Sequence, residues 1–306
     1  MVKIIVGVDA SDRSLDAVAF AREMADVAGA GLMLASAYPY APTASRVPVP
    51  ALREAMRSDA AAALARTGEL LEGFDAVETV TIADTSPARA LQALAEEEEA
   101  ALTVVGSSHR GAAGRVLIGS TAMRLLHGSR SAVAVVPLGY RDRPDRSMLR
   151  IGVGYDESDE SRAAVAAAAA TARALGAELR VIGVLNLAAE RATAITPVGY
   201  VGAFEAVERS MREHLEAVVA ALPDDVKAEP VLRAGAPADA LAEESLELDL
   251  LFTGSRAYGP LPAVLLGSVT QRLLQHAACP VVVLPRGADE PAFERLVAHA
   301  LEGQAV

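Results

Sequence analysis

Lys3 to Ser14 reads KIIVGVDASDRS, and Arg150 to Ser161 reads RIGVGYDESDES. Each is a short β-branched run that meets Gly-x-Asp and passes into an Asp/Ser cluster. Asp9 and Asp156 lie 147 positions apart. Three later blocks repeat at an offset of 148. Leu102 to Ser107 (LTVVGS) matches Leu250 to Ser255 (LLFTGS), and Ile118 to Leu126 (IGSTAMRLL) matches Leu266 to Leu274 (LGSVTQRLL). The apolar runs from Val133 to Pro137 and from Val281 to Pro285 keep the same offset. Agreement at four separate blocks means one domain duplicated in tandem. The 306 residues fit two domains at roughly 150 residues each. The expected domains are residues 1–138 and 150–286, with a tail over 287–306. They are joined by a polar linker, 139–149, that carries Gly139 and Pro144.

Within each copy, short apolar runs alternate with helical spacing. First strands at Ile4–Val8 and Ile151–Tyr155 lead into helices capped at Asp12 or Ser158 and ending near Gly29 and Gly176. Second strands follow at Leu32–Ala37 and Leu179–Leu185, then irregular stretches and long helices at about 50–72 and 202–222. Third strands (77–82, 228–233), short helices (87–99, 237–247), fourth strands (101–105, 249–253), last helices and fifth strands complete the copies. Apolar strands that alternate with helices define an α/β fold: two tandem five-stranded parallel-sheet, Rossmann-like domains covered on both faces. In such sheets ligands bind beyond the carboxyl ends of the strands at the switch point. Here that means the loops after the first and fourth strands.

Composition narrows the function. The net charge of −12 repels phosphate backbones and anionic lipid, so neither nucleic acid nor a membrane surface is an expected partner. Hydrophobic residues make up 52% without a single Trp, and with only 6 Tyr and 5 Phe, so the core is aliphatic. Cys279 is the only cysteine and has no internal disulfide partner. No apolar run reaches membrane-spanning length, and the N-terminus runs directly into a strand. These features read as a soluble, cytoplasmic protein.

The loop after the fourth strand suits phosphate. It runs from Gly106 to Gly119-Ser120 in copy one and from Gly254 to Gly267-Ser268 in copy two. Glycine permits close backbone approach, and a helix start offers unpaired N–H groups at the positive end of the dipole. Ser120 and Ser268 add hydroxyls, and Arg110, Arg115 and Arg256 add charge. An N-capping serine behind a glycine turn is the plainer alternative.

These residues resemble a known family. The frame G-x-x-G-x9-G-[S/T], followed by an ending such as HAACPVVVLP, is similar to the nucleotide loop of the universal stress protein family. The Asp-Ser openings agree, as do SPARAL at 86–91 and APADAL at 236–241. The resemblance implies domains of the adenine nucleotide alpha hydrolase-like type, each able to bind ATP, with Mg as an accompanying ion. It places Asp9 and Asp156 beside the adenosine, and Ala37 and Val184 near the adenine. Gly106, Ser107, His109, Arg110, Gly119 and Ser120 would line the nucleotide loop of copy one. Gly254, Ser255, Ala257, Gly267, Ser268 and Val269 would line that of copy two. The family also pairs its fifth strands edge to edge, which a tandem chain can do internally as a pseudo-dimer; a homodimer through other surfaces is a further option.

Two positions depart from the frame. The second glycine is His109 in copy one and Ala257 in copy two. A side chain there obstructs a close backbone approach, and His is the heavier change. Copy two is therefore expected to bind nucleotide at least as tightly as copy one.

Other chemistry finds little support. Ala112 and Ser120 stand where a Walker A loop needs Lys, and the glycine fingerprint that starts at Gly152 ends on Glu157. No G-x-S-x-G elbow exists, and the five histidines are scattered, so neither a serine hydrolase nor a metal site is expected. The stretch Asp9-Ala-Ser-Asp also lacks the glycine-rich serine loop of an ATP pyrophosphatase. The expected function is an adenine-nucleotide-binding stress-response sensor or regulator whose catalysis is at most slow ATP hydrolysis. The alternative is a nucleotide-free interaction protein with degenerate pockets.

Overall fold

The computed structural model describes residues 2–40, 50–107, 119–143, 147–186, 200–255 and 267–285, together with Phe293, Arg295 and Leu296. Side-chain surroundings in the helix that begins at Tyr200 are described from Glu205 onward.

The first copy runs β1 (Lys3–Gly7), α1 (Asp12–Ala28), β2 (Gly31–Tyr38), α2 (Pro50–Ala65), β3 (Val77–Ala83), α3 (Pro87–Glu97), β4 (Leu102–Gly106), α4 (Ser120–Leu126) and β5 (Ala132–Val136). The second runs β6 (Arg150–Tyr155), α5 (Asp159–Leu175), β7 (Glu178–Leu185), α6 (Tyr200–Ala220), β8 (Lys227–Ala234), α7 (Pro237–Glu244), β9 (Leu250–Gly254), α8 (Ser268–His276) and β10 (Val281–Leu284). Both long first helices stop where Gly29 and Gly176 turn left-handed, at φ of 58° and 64°, as expected of glycine after a helix. The first helix is entered through Ser11 rather than Asp12, whereas Ser158 caps its counterpart and accepts the Ser161 amide.

The strands form one sheet in the order β3-β2-β1-β4-β5-β10-β9-β6-β7-β8. Pairing is parallel within each copy, and β5 meets β10 antiparallel, with Ala134 opposite Val282. The two apolar fifth strands thus close each other's edge in the middle of the sheet, where every residue of both is buried. The outer edges are β3 and β8, and Pro230 interrupts hydrogen bonding along the latter.

Alternation along each strand separates two cores, one per face. Ile4, Val6, Leu102, Val104, Ala134 and Val282 join α1 and α5 on one side. Ile5, Val105, Val133, Val135, Val281 and Val283 join α3, α4, α7 and α8 on the other. The helices after β1 and β2 therefore cover one face, and those after β3 and β4 cover the other. That places the switch point between β1 and β4, and its repeat between β6 and β9.

Residues 139–143, which begin the segment between the copies, are packed rather than loose. The Asp16 carboxylate, buried on α1, accepts the backbone amides of Gly139 at 2.8 Å and Arg141 at 3.0 Å. Tyr140 donates to Glu23 at 2.5 Å and stands edge-on to Phe20 at 5.7 Å. Arg143 covers the Tyr140 ring and donates to the Ala278 carbonyl, which ties the segment to the second copy. Farther on, Phe293 meets Phe252 edge-on at 5.9 Å, and both rings are buried. Cys279 is buried too, and desolvation pushes its thiol up to about 12, so it packs and does not react.

Acidic residues at the end of α3 oppose the helix dipole. Glu98 is compensated by Lys3 at 2.7 Å, which also reaches Glu78 at 3.3 Å. Glu99 sits at φ 47°, a left-handed conformation that costs a side chain about 1 kcal/mol. The Glu99→Gly variant is expected to gain up to about 1 kcal/mol of unfolding free energy, read as a higher urea midpoint. An unchanged or lower midpoint would show that the turn carries no strain.

Candidate functional site

Both switch points hold a cavity. The first, of about 380 Å³, is lined by Gly7 to Asp9, Ser11, Arg13, Ser14, Ala35, Ala37, Pro87, Leu91, Val105, Gly106 and Gly119 to Ala122. The second, of about 390 Å³, is lined by Gly154 to Asp156, Ser158, Glu160, Ser161, Ile182, Val184 to Asn186, Met211, Pro237, Leu241, Thr253, Gly254, Val269 and Thr270. Their linings match almost residue for residue: Asp9 with Asp156, Ala37 with Val184, Pro87 with Pro237, and Gly106 with Gly254. Either volume suits a nucleoside-sized ligand.

The loop after the first strand is built by an Asp-x-Ser-x-x-Ser pattern. The Asp9 carboxylate accepts the Ser11 amide at 2.9 Å as well as the Ser11 hydroxyl. The Ser14 hydroxyl donates back to the Asp9 carbonyl at 2.8 Å. In copy two, Asp156 accepts the Ser158 amide at 3.2 Å, and the Ser161 hydroxyl donates to the Ser158 carbonyl at 2.9 Å. These turns hold each aspartate at the cavity wall with carboxylate oxygen exposed, so it can accept hydroxyl hydrogen bonds from a bound sugar. Ser14 and Ser161, buried at the foot of the turn, were not singled out from the sequence, although both lie inside the quoted repeat.

The long helices brace these loops differently. Arg66, just past α2, donates to the Ala10 carbonyl and pairs with Asp12 at 3.4 Å. On α6, His214 Nδ1 lies 2.9 Å from Glu157, the residue equivalent to Ala10. Glu157 itself is left-handed, at φ 65°.

Gly106 and Gly254 have a reason independent of any ligand. A Cβ on Gly106 would stand 2.4 Å from the Arg13 carbonyl oxygen, and one on Gly254 would stand 2.7 Å from the Glu160 Cβ. Each glycine lets the first helix of its copy lie directly on the fourth strand. That close approach, and no left-handed turn, fixes the residue type.

Asp9, Ala37, Gly106, Gly119 and Ser120 come together around the first cavity, and Asp156, Val184, Gly254 and Val269 around the second. Ser107 and Ser255 are buried behind the strand ends, outside both linings. Gly267 and Ser268 open α8 but do not line the second cavity, where Val269 and Thr270 take that place. His109, Arg110 and Ala257 lie outside the described residues, as do Arg115 and Arg256. Arg13 and Glu160 are cavity residues that the sequence reading passed over. Aligning the two copies at Asp9 and Asp156 would have exposed them, because they occupy the same place and carry opposite charge.

A duplicated, doubly wound α/β chain with a cavity at each switch point defines a class of two-site α/β proteins. The universal stress protein family model matches it twice, over residues 1–137 and 148–285, and the chain belongs to that family. It is 32% identical over 255 residues to a universal stress protein of Mycobacterium tuberculosis, which covers 80% of this chain and 86% of that protein. It is 33% identical over 190 residues to one of Mycolicibacterium smegmatis, covering 61% of this chain and 62% of that protein. Among solved structures, a universal stress protein from Archaeoglobus fulgidus superposes with a TM-score of 0.67 at 20% identity. That match covers 93% of this chain and 98% of the other, and it shows a shared fold.

Proposed function

We propose that the chain binds an adenine nucleotide, ATP foremost, at the carboxyl ends of its strands and acts as a cytoplasmic stress-response sensor or regulator. The observation that carries this reading is the matched pair of cavities, each with an aspartate held by its own Ser turn beside a small apolar wall at Ala37 or Val184. The adenine would lie against that wall, with the ribose hydroxyls donating to Asp9 or Asp156. In copy one the phosphates would extend toward Gly119 and Ser120. ATP carries its own Mg in this reading. Among the described residues no three His, Cys, Asp or Glu side chains gather to hold a metal, and Mg commonly rides on phosphates. No catalytic step is assigned. Family membership supports the regulatory role, and homodimerisation would use surfaces other than the fifth strands, which already face each other.

The test is thermal unfolding with ATP, ADP and AMP. A ligand at about 100 times its Kd adds about 2.7 kcal/mol, or several degrees of Tm. Ala37→Trp, which fills the first cavity, should abolish the part of the shift that arises there. No shift with any of the three would refute nucleotide binding and favour a nucleotide-free interaction protein.

A further inference from the structure

We propose that the outer edge of β3 pairs antiparallel with β3 of a second copy of this chain, which extends the sheet across a two-fold axis at Val80. The inference does not depend on nucleotide binding.

The two outer edges of the sheet are built differently. The Ala76 carbonyl and the Asp84 amide both bond to β2, and the register between them is unbroken. Backbone groups alternate in direction along a strand. Glu78, Val80 and Ile82 therefore bond inward, while Val77, Thr79, Thr81 and Ala83 turn their N–H and C=O groups outward. Among the described residues no strand lies beyond β3 to receive them. On β8 the Gly235 amide bonds to Leu185, so Ala228, Pro230, Leu232 and Ala234 face outward. Pro230 sits within that row without an N–H, and Lys227, Glu229 and Arg233 lie along the same strand. Proline and charge on an edge strand block pairing with another chain. By sheet register the counterpart of Pro230 is Thr79, because the two face Val181 and Leu34, which stand at equivalent places on β7 and β2. The edge of copy two is guarded, and that of copy one is not.

The sequence of β3 suits a copy of itself. With Val80 opposite Val80, all seven residues overlap. Thr79 then faces Thr81, and Val77 faces Ala83; these are the outward residues, which exchange both hydrogen bonds of an antiparallel pair. Moving the pairing by one residue would set outward groups against inward ones. The two Glu78 carboxylates would stand about 13 Å apart along the strands, past a screening length of about 10 Å in ordinary salt. Each keeps its own Lys3 at 3.3 Å. A two-fold contact requires a self-complementary strand, and that feature selects a second copy over an unrelated extended segment. The chain already closes one edge in this way, since β5 and β10 pair antiparallel. The axis runs perpendicular to the sheet, so the α2 helices that cover β2 and β3 come side by side on one face and add to the strand contact.

The experiment is sedimentation velocity on the full chain without nucleotide, for wild type and Thr79→Pro. Pro230 shows that the matching place in copy two accepts proline within the sheet, and an unfolding curve confirms that the variant folds. Wild type is expected to sediment as a dimer at micromolar concentration, and Thr79→Pro should weaken that dimer at least about tenfold. A second measurement reads the register and does not rely on the proline variant. Val80→Cys and, separately, Glu78→Cys are mildly oxidised and run on a non-reducing gel; Cys279 is buried and takes no part. Val80→Cys should cross-link two chains, because directly opposed residues at a non-hydrogen-bonded position fall within disulfide reach, and Glu78→Cys should not. A monomeric wild type, a dimer indifferent to Thr79→Pro, or failure of Val80→Cys to cross-link would overturn the pairing. Each of those results leaves the nucleotide reading as it stands.

Discussion

Gly106→Val is expected to destabilise the N-terminal half by about 3 kcal/mol with no ligand present. The new side chain would have to enter space already held by the Arg13 backbone, whose carbonyl oxygen is 2.4 Å from the position of a Cβ. Backbone cannot rotate away as a side-chain tip can, so α1 would have to lift from β4. That movement would loosen Ala17, Phe20 and Ala21, all fully buried under the helix. Gly254→Val should act in the same way on α5, through Glu160. Urea unfolding of each variant without nucleotide checks this. If the glycines served phosphate alone, the unliganded stability of both variants would match wild type. Because these residues hold the fold, ligand binding is better tested at Arg13, Ala37, Glu160 and Val184.

The second large effect concerns Glu244. Its carboxylate is buried, accepts Arg233 Nε at 2.5 Å and lies 3.7 Å from Arg180, which also pairs with Glu229 and Glu247 at 3.0 Å each. In copy one the equivalent positions hold Leu94, Ile82 and Met33, all in or against the apolar core. The same structural place is thus filled by an ionic cluster in one copy and by hydrocarbon in the other. Removing one member strands the rest, so Glu244→Ala should cost about 2–3 kcal/mol, tempered by the partial exposure of both arginines. Exchanging the cluster for its copy-one residues (Arg180→Met, Arg233→Ile and Glu244→Leu together) should be neutral or stabilising, because buried ion pairs commonly lose to packed hydrocarbon. Chemical unfolding measures both. A triple variant weaker than Glu244→Ala would mean that the ionic cluster itself specifies how α7 packs.

The sequence carried the duplication clearly, because the four repeated blocks are the strand ends and the helix starts that the fold needs in both copies. Gly29 and Gly176 marked helix ends for a local reason, and the apolar fifth strands announced their need for a partner. The site was legible only in part. Asp9, Ala37 and Gly119 were placed by the family resemblance, and they do meet at one cavity. Ser107 and Ser255 were not separable from cavity residues by sequence, because one residue past a strand end the chain can face either ligand or core. The Gly106 constraint was also hidden, since helix-to-strand distance is a tertiary quantity. The charge reversal at Arg13 and Glu160 was present in the letters, but it acquires meaning only once α1 and α5 are seen to carry those residues to the cavity walls.

Nucleotide binding at the switch-point cavities is the central claim, and the most direct test is chemical. The purified protein is denatured, the released small molecules are identified by mass spectrometry, and nucleotide is quantified against chain after equilibration with ATP and removal of the excess. Bound adenine nucleotide, at one or two per chain, is the predicted result, held in the switch-point cavities. No nucleotide released, together with no thermal shift on adding ATP, would contradict the account.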